Sequence, residues 1–306
     1  MPLAQRGSPP LAIAAAPMAA APVAAASSLA EPQSPRSLIL AELTQMFGDL
    51  PMDTSAIAAG MPATRGMPTT VSDLKELWQR IHRPVAVYEF YGHGEATWGP
   101  SAPLSNFWQS PFLFVVPAVL LERLPEVRAH LQGTALRVNC SETAIMLMKA
   151  MLCRDFGGFV RIHEADQSGA LDAAVVKRLG RGIANFVQQE WDEWVIFVAI
   201  QAVTQKFHRC VHLRHCLAST GTRIIAETVA TDRNWATGSN PLEPGNDRPC
   251  SWRGLNILGL ALMVARYTLK VEASQMRLTP EEHQELHRLG LQRGRAKELA
   301  RQAKAQ

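Results

Sequence analysis

A mainly helical α+β fold is what this 306-residue sequence predicts. Three observations lead there. The β-rich runs are few and short, at residues 85–90, 111–116, 136–139 and 224–229. Apolar residues at helical spacing fill the longer stretches 141–153, 192–211 and 254–269. Apolar residues make up 47% of the chain and charged residues 19%, enough for one large domain or two small ones with a sizeable core.

Residues 1–35 are rich in Ala, Pro and Ser, with Arg6 and no acidic residue before Glu31. They read as a disordered tail that cannot bury enough surface to offset chain entropy, or as a targeting peptide. Residues 36–84 read as a helical extension and linker. Leu38, Leu40, Leu43 and Phe47 recur at helical spacing until Gly48 and Pro51. Residues 53–70 are linker-like, and a short helix over 72–82 has Ser72 as N-cap and Leu74, Leu77, Trp78 and Ile81 on one face.

The core domain is expected over residues 85–270. It opens with Val85 to Phe90 as a strand bounded by Gly92, followed by short strands at 111–116 and 136–139. Helices then dominate, over 141–153, 172–179 and 192–211. A strand at 224–229 precedes a loop rich in Gly, Pro and Asn at 239–252, and a last apolar helix spans 254–269. Residues 271–306 form a charged terminal helix, with Thr279 as cap, Pro280 at its first position and Glu282 completing a capping box.

Charge and cysteine content exclude several classes. Residues 85–270 carry eighteen basic and sixteen acidic side chains, so duplex binding through phosphate neutralisation is poorly supported. A local basic pocket for one phosphate is compatible with this balance. Five cysteines, Cys140, Cys153, Cys210, Cys216 and Cys250, form no CxxC pair. An odd number without spacing suits reduced thiols in an intracellular protein, cytoplasmic by default, or organellar if residues 1–35 are a transit peptide. No proline-free apolar run approaches the ~20 residues of a membrane span. Residues 207–216 hold His208, His212, His215, Cys210 and Cys216, and on one helix several of these would share a face. No second ligand group follows, and Arg209 and Arg214 would repel a cation, so no metal is expected.

Several residues have chemistry that their surroundings do not explain. Glu142 begins a helix that is otherwise largely apolar, and Lys149 lies two turns later on the same face. Glu142 can serve the helix dipole there, but a buried ion pair is an equal reading. Asp232 and Trp235 follow a strand and precede a Gly-rich loop. They are either an Asx turn with a packed indole, or an acid beside a surface on which a flat base can stack. Ser105-Asn106-Phe107 is a turn that also offers an amide. Gly180-Arg181 ends a helix with a cation that satisfies carbonyls or grips a phosphate.

In this order, Leu104-Ser105-Asn106-Phe107-Trp108, Glu142 to Lys149, Gly180-Arg181, Trp191, Lys206-Phe207, Thr220-Gly221, Asp232 to Gly238 and Asn256 to Arg266 resemble the NADAR family, also called YbiA-like. The chain departs from the family pattern at Thr143, Ala144, Met146 and Ala236 and has a longer 239–252 insert. The resemblance implies a YbiA-like α+β fold, mainly helical, in which several helices pack a small sheet. It also implies hydrolysis of an N-glycosidic bond without metal or redox cofactor. The substrate class is a phosphoribosylamino-pyrimidine of riboflavin biosynthesis or ADP-ribosyl-guanine in nucleic acid. A module that binds ADP-ribose or nucleotide without catalysis is the alternative. On this reading Glu142 and Asp232 are the catalytic carboxylates, and Asn106, Lys149, Arg181, Trp191, Lys206, Trp235 and Asn256 bind substrate. The partner is then a phosphoribosyl or ADP-ribosyl small molecule, with nucleic acid entering only as a modified substrate and no membrane involved.

Overall fold

The structure, a computed structural model, describes residues 67–92, 99–123, 131, 135–168, 173–208 and 210–269. The tail at 1–35, the helix at 37–50 and the charged helix beyond 271 lie outside these residues.

Helix α1 (Val71–Gln79) starts two residues earlier than Ser72 as cap would allow. Thr70 is the N-cap: its hydroxyl accepts from the Asp73 N–H, and the Asp73 carboxylate accepts the Thr70 N–H. The face carrying Leu74, Leu77, Trp78 and Ile81 is buried as expected. Trp78 also donates its indole N–H to the Leu255 carbonyl and packs against Trp252, 5.1 Å between ring centroids.

The expected small sheet is two separate ladders. Strand β1 (Val87–Phe90) pairs in parallel with β4 (Ile224–Glu227), Val87 opposite Ile224 and Phe90 opposite Glu227. Strand β2 (Phe112–Val115) pairs antiparallel with β3 (Ala135–Val138). The outer edge of β2 is closed by a side chain: Gln205 donates to the Val115 carbonyl and accepts from its N–H, at 2.9 and 2.8 Å. A row of backbone groups at an edge needs such partners.

Helices surround these ladders. After α2 (Ala118–Arg123), α3 (Ser141–Leu152) and α4 (Phe156–Gln167) pack together. Helix α4 was not anticipated, because Gly157 and Gly158 in its first turn argue against a helix. Asp155 compensates as N-cap, accepting from Gly158 N–H at 2.7 Å. Helix α5 (Ala173–Arg181) lies against α3, and Gly180 permits the approach, since a Cβ there would collide with Met146 Sδ.

Helix α6 (Gln188–His208) is the central rod, buried from Trp194 to Phe207, and packs on α8 (Ile257–Thr268). It begins earlier than residue 192 and ends at His208. A separate helix α7 (Val211–Ala218) follows, capped by Cys210. The single helix that would align His208 with His212 and His215 therefore does not form. Among the described residues no helix is long and apolar enough to cross a membrane.

Candidate active site

The first turn of α3 presents Glu142, which is 3% exposed. Its backbone N–H donates to the Asn106 carbonyl at 3.1 Å, and Ser141 Oγ donates to the Asn106 side-chain oxygen at 2.9 Å. The loop at 105–107 therefore fixes the start of α3 in place of a side-chain cap, since Cys140 makes none. Among the described residues no donor is hydrogen-bonded to the Glu142 carboxylate itself. Burial pushes this group from 4.5 up to about 7. Lys177, Arg181 and Lys149 pull it back down, while Asp232 adds to the rise.

A second carboxylate, absent from the expected set, stands beside it. Glu227 closes β4, where its N–H is held by the Asn256 side-chain oxygen at 3.1 Å. Burial first, then the charges of Asp232 and Glu142, push Glu227 from 4.5 up to about 8, with Lys177 opposing. Glu142 is the more fully buried of the two, and Glu227 keeps a partly open surface. No donor among the described residues bonds to the Glu227 carboxylate either.

Asp232 divides its two oxygens between fold and charge. Oδ1 accepts the N–H groups of Asn234 and Trp235 at 3.0 and 2.9 Å, an Asx turn. Oδ2 lies 3.7 Å from Lys177 Nζ. Lys177, also unanticipated, sits 5.1 Å from the Phe107 ring centroid and influences Glu142, Glu227 and Asp232 alike. Arg181 is one turn further along α5 on the same face.

The structure therefore brings together Glu142, Asp232, Asn106, Arg181 and Lys149 from the expected set, and adds Glu227 and Lys177. The others sit differently. Lys206 is 1% exposed, and its ammonium donates to the carbonyls of Pro103 and Ser105 at 3.0 and 2.8 Å. It supports the 103–107 loop from within the core. Asn256 is fully buried, in the left-handed conformation at φ 51°, and joins β4 to α8 by accepting from Glu227 N–H and donating to the Ile225 carbonyl. Trp235 is half-buried against the core, its carbonyl accepting from Leu258 N–H. Trp191 lines a cavity at the opposite end of α3, where Lys149 Nζ stands 5.6 Å from its ring centroid. Lys149 also donates to the Gly180 carbonyl at 3.1 Å, and burial lowers its ammonium below the usual lysine range.

Two carboxyls raised toward neutrality, one more pulled down by cations and one raised by neighbouring carboxylates, suit acid–base chemistry near pH 7. Thr143, where the family motif departs, faces away from this chemistry. Its hydroxyl donates to Asp166 at 2.5 Å in a buried network with Asn139.

The sequence profile of the NADAR domain matches residues 89–270, more than half of the chain. The chain belongs to the NADAR family. It is 29% identical over 126 residues to a protein named N-glycosidase R617 from Acanthamoeba polyphaga mimivirus, a span covering 41% of this chain and 71% of that one. The NMR structure of the E. coli protein YbiA superposes with a TM-score of 0.43 at 19% identity, covering 70% of this chain and 99% of that one. Within this NADAR chain, Glu227, Asp232 and Trp235 come from one continuous segment at the end of β4, and Glu142 and Lys149 from one helix.

Proposed function

We propose that this NADAR protein is an N-glycosidase that hydrolyses the C1′–N bond of a phosphoribosylamino-pyrimidine of the riboflavin pathway. The observation that carries the reading is the pair Glu142 and Glu227, recessed, without a hydrogen-bond donor among the described residues, and raised to about 7 and about 8. The similarity to a protein named N-glycosidase supports it.

Breaking a C1′–N bond leaves positive charge on the ribose and negative charge on the departing nitrogen. The first needs a carboxylate and the second needs a proton. Glu142, beside three cations, is the group that ionises first and faces the oxocarbenium-like sugar or activates the water. Glu227, beside two carboxylates, keeps its proton longer and delivers it to the leaving nitrogen. Asp232 is the third acid of the site and holds Lys177 in place. Lys149, Lys177 and Arg181 take the phosphate, Asn106 bonds the ribose or the base edge, and Trp235 stacks on the ring.

A second reading keeps the same carboxylates and changes the substrate to ADP-ribosyl-guanine in nucleic acid. Three cations around one site favour it, since a diphosphate presents more anionic oxygens than a monoester. One experiment separates the two. The full chain is incubated with the aminopyrimidine intermediate and, in parallel, with an oligonucleotide carrying ADP-ribosylated guanine, and products are read by mass spectrometry. Ribose 5-phosphate from the first supports the proposed substrate, and free ADP-ribose from the second alone moves the assignment to the alternative. Neither product from folded protein rejects the N-glycosidase reading.

A further inference from the structure

A carboxylate that no donor holds is located only by the backbone that carries it and by packing. Glu142 is such a group among the described residues. The bonds from Ser141 and from the Glu142 N–H to Asn106 hold its turn of α3 from the side of the 105–107 loop. A carboxylate outside the site holds it from the other side. Asp166 stands in the last turn of α4 and is 6% exposed. Its Oδ1 accepts the Thr143 hydroxyl at 2.5 Å. Its Oδ2 accepts the Asn139 N–H at 3.0 Å and the Gln167 side-chain amide at 3.1 Å. Its backbone carbonyl accepts the Asn139 side-chain amide at 2.5 Å. Asp166 thus grips the chain just after β3, at Asn139, and again at Thr143, with Glu142 between the two grips.

The network continues to the helix start. Ionised Asp166 can only accept, so the one hydroxyl proton of Thr143 goes to it. The 3.4 Å contact between Cys140 Sγ and Thr143 Oγ1 is then the thiol donating to the hydroxyl oxygen. Burial raises the Asp166 carboxyl above the ordinary range, and the Thr143 hydroxyl, the Asn139 N–H and the charge of His163 bring it part of the way back. Apolar side chains would hold α3 against α4 at lower cost than a buried carboxylate. What the carboxylate adds is direction, because hydrogen bonds fix angles and apolar contacts do not. Thr143 is also one of the positions where this chain departs from the family pattern, so its hydroxyl is a feature of this chain rather than of the motif.

We infer that Asp166, acting through Thr143 and Asn139, is a positioning residue that fixes the direction of the Glu142 side chain. The first turn of α3 is held between Asn106 on the loop side and Asp166 on the α4 side. The inference rests on the N-glycosidase reading for what Glu142 does, and on the hydrogen bonds alone for how it is held.

Thr143→Val keeps the shape of the side chain and removes the hydroxyl, while Thr143→Ser keeps the hydroxyl. Thr143→Ala serves in place of the valine variant if that does not fold. Two readouts are taken on the full chain. The first is hydrolysis of the phosphoribosylamino-pyrimidine. The valine variant should lose about tenfold or more in kcat with KM within about twofold of wild type, since misplacing a reacting group by ~1 Å can cost ~10²-fold. The serine variant should recover most of that loss. The second readout needs no turnover. It compares the melting temperature of a protein with that of its Glu142→Gln derivative across pH 5 to 8. A buried Glu142 loses stability as pH rises, so the derivative gains on its parent. In the Thr143→Val background the carboxylate is free to turn toward solvent, and that gain should shrink. Asp166, Lys177, Arg181, Lys149 and Asp232 are present in both members of each pair, so their own titrations largely cancel. A merely structural role would lower the melt of the valine variant and leave kcat and the pH-dependent gain unchanged. Unchanged kcat, a loss that serine does not restore, or a gain as large as in the wild type overturns the inference. A reduced gain in a protein that hydrolyses no ribosyl–base bond sustains the positioning and rejects the enzyme reading, so the two fail separately.

Discussion

Replacing Glu142 by Gln should make the protein more stable at alkaline pH while removing most of its activity. Glutamine keeps the shape of the carboxyl and cannot ionise. The native state holds the Glu142 proton up to about pH 7, whereas the unfolded chain releases it near 4.5. The native state therefore binds more protons than the unfolded state between these values, and stability falls as pH rises through that window. Below 4.5 the wild type and variant should match. Above 7 the buried carboxylate costs the wild type about 3 kcal/mol, at ~1.4 kcal/mol for each tenfold change in proton affinity. For a domain of this size that is a Tm difference of about 6–12 °C. Thermal melts of the full chain at pH 5, 6, 7 and 8 measure it. The gap should open between pH 5 and 7 and then level off, while turnover of the variant falls about 10²–10⁴-fold. A gap that does not change with pH, or a variant less stable throughout, would refute the burial argument for Glu142.

Other substitutions separate chemistry from support. Asp232→Asn keeps an oxygen for the Asn234 and Trp235 N–H groups, so the melt should stay within about 1 kcal/mol of wild type while kcat drops at least tenfold. Lys177→Met removes the cation that acts most strongly on Glu142, so the acid limb of the pH–rate profile should move up, which a kinetic titration reads. Lys206→Met should cost about 1–3 kcal/mol by removing the ammonium donor to the Pro103 and Ser105 carbonyls, the latter keeping the Trp108 N–H, visible as a lower urea midpoint with no KM effect specific to phosphate. In the wild type, kcat should peak between about pH 7 and 8 and fall on both sides, as Glu142 gains its proton below and Glu227 loses its proton above. A flat profile from pH 5 to 9 would count against both assignments.

What could be read in the sequence, and what could not, follows from the range of the interactions involved. Strands β1 to β4 and helices α3, α5 and α8 announce themselves because β-branched runs and apolar periodicity are local signals. Glu142 was legible for the same reason, as an acid in an apolar helix. Glu227 was not, because in Ile224-Ile225-Ala226-Glu227 it looks like the polar end of any strand, and only folding brings it beside Glu142. Lys177 was hidden on an amphipathic helix among other cations. Lys206 and Asn256 illustrate the converse. Both read as ligand-binding polar residues, but their partners are backbone groups about 100 and 30 residues away, which no local pattern encodes. Asp232 satisfies both of its alternatives, with one oxygen in the Asx turn and the other against Lys177.

The central claim is that Glu142 and Glu227 together cleave a ribosyl C1′–N bond. The most direct test is single-turnover hydrolysis of the phosphoribosylamino-pyrimidine by the wild type, Glu142→Gln and Glu227→Gln, each confirmed folded by its melt, with ribose 5-phosphate quantified by mass spectrometry. The account predicts release by the wild type and a loss of about 10²-fold or more in each variant. Release by the wild type that persists at near-normal rate in either folded variant would contradict it.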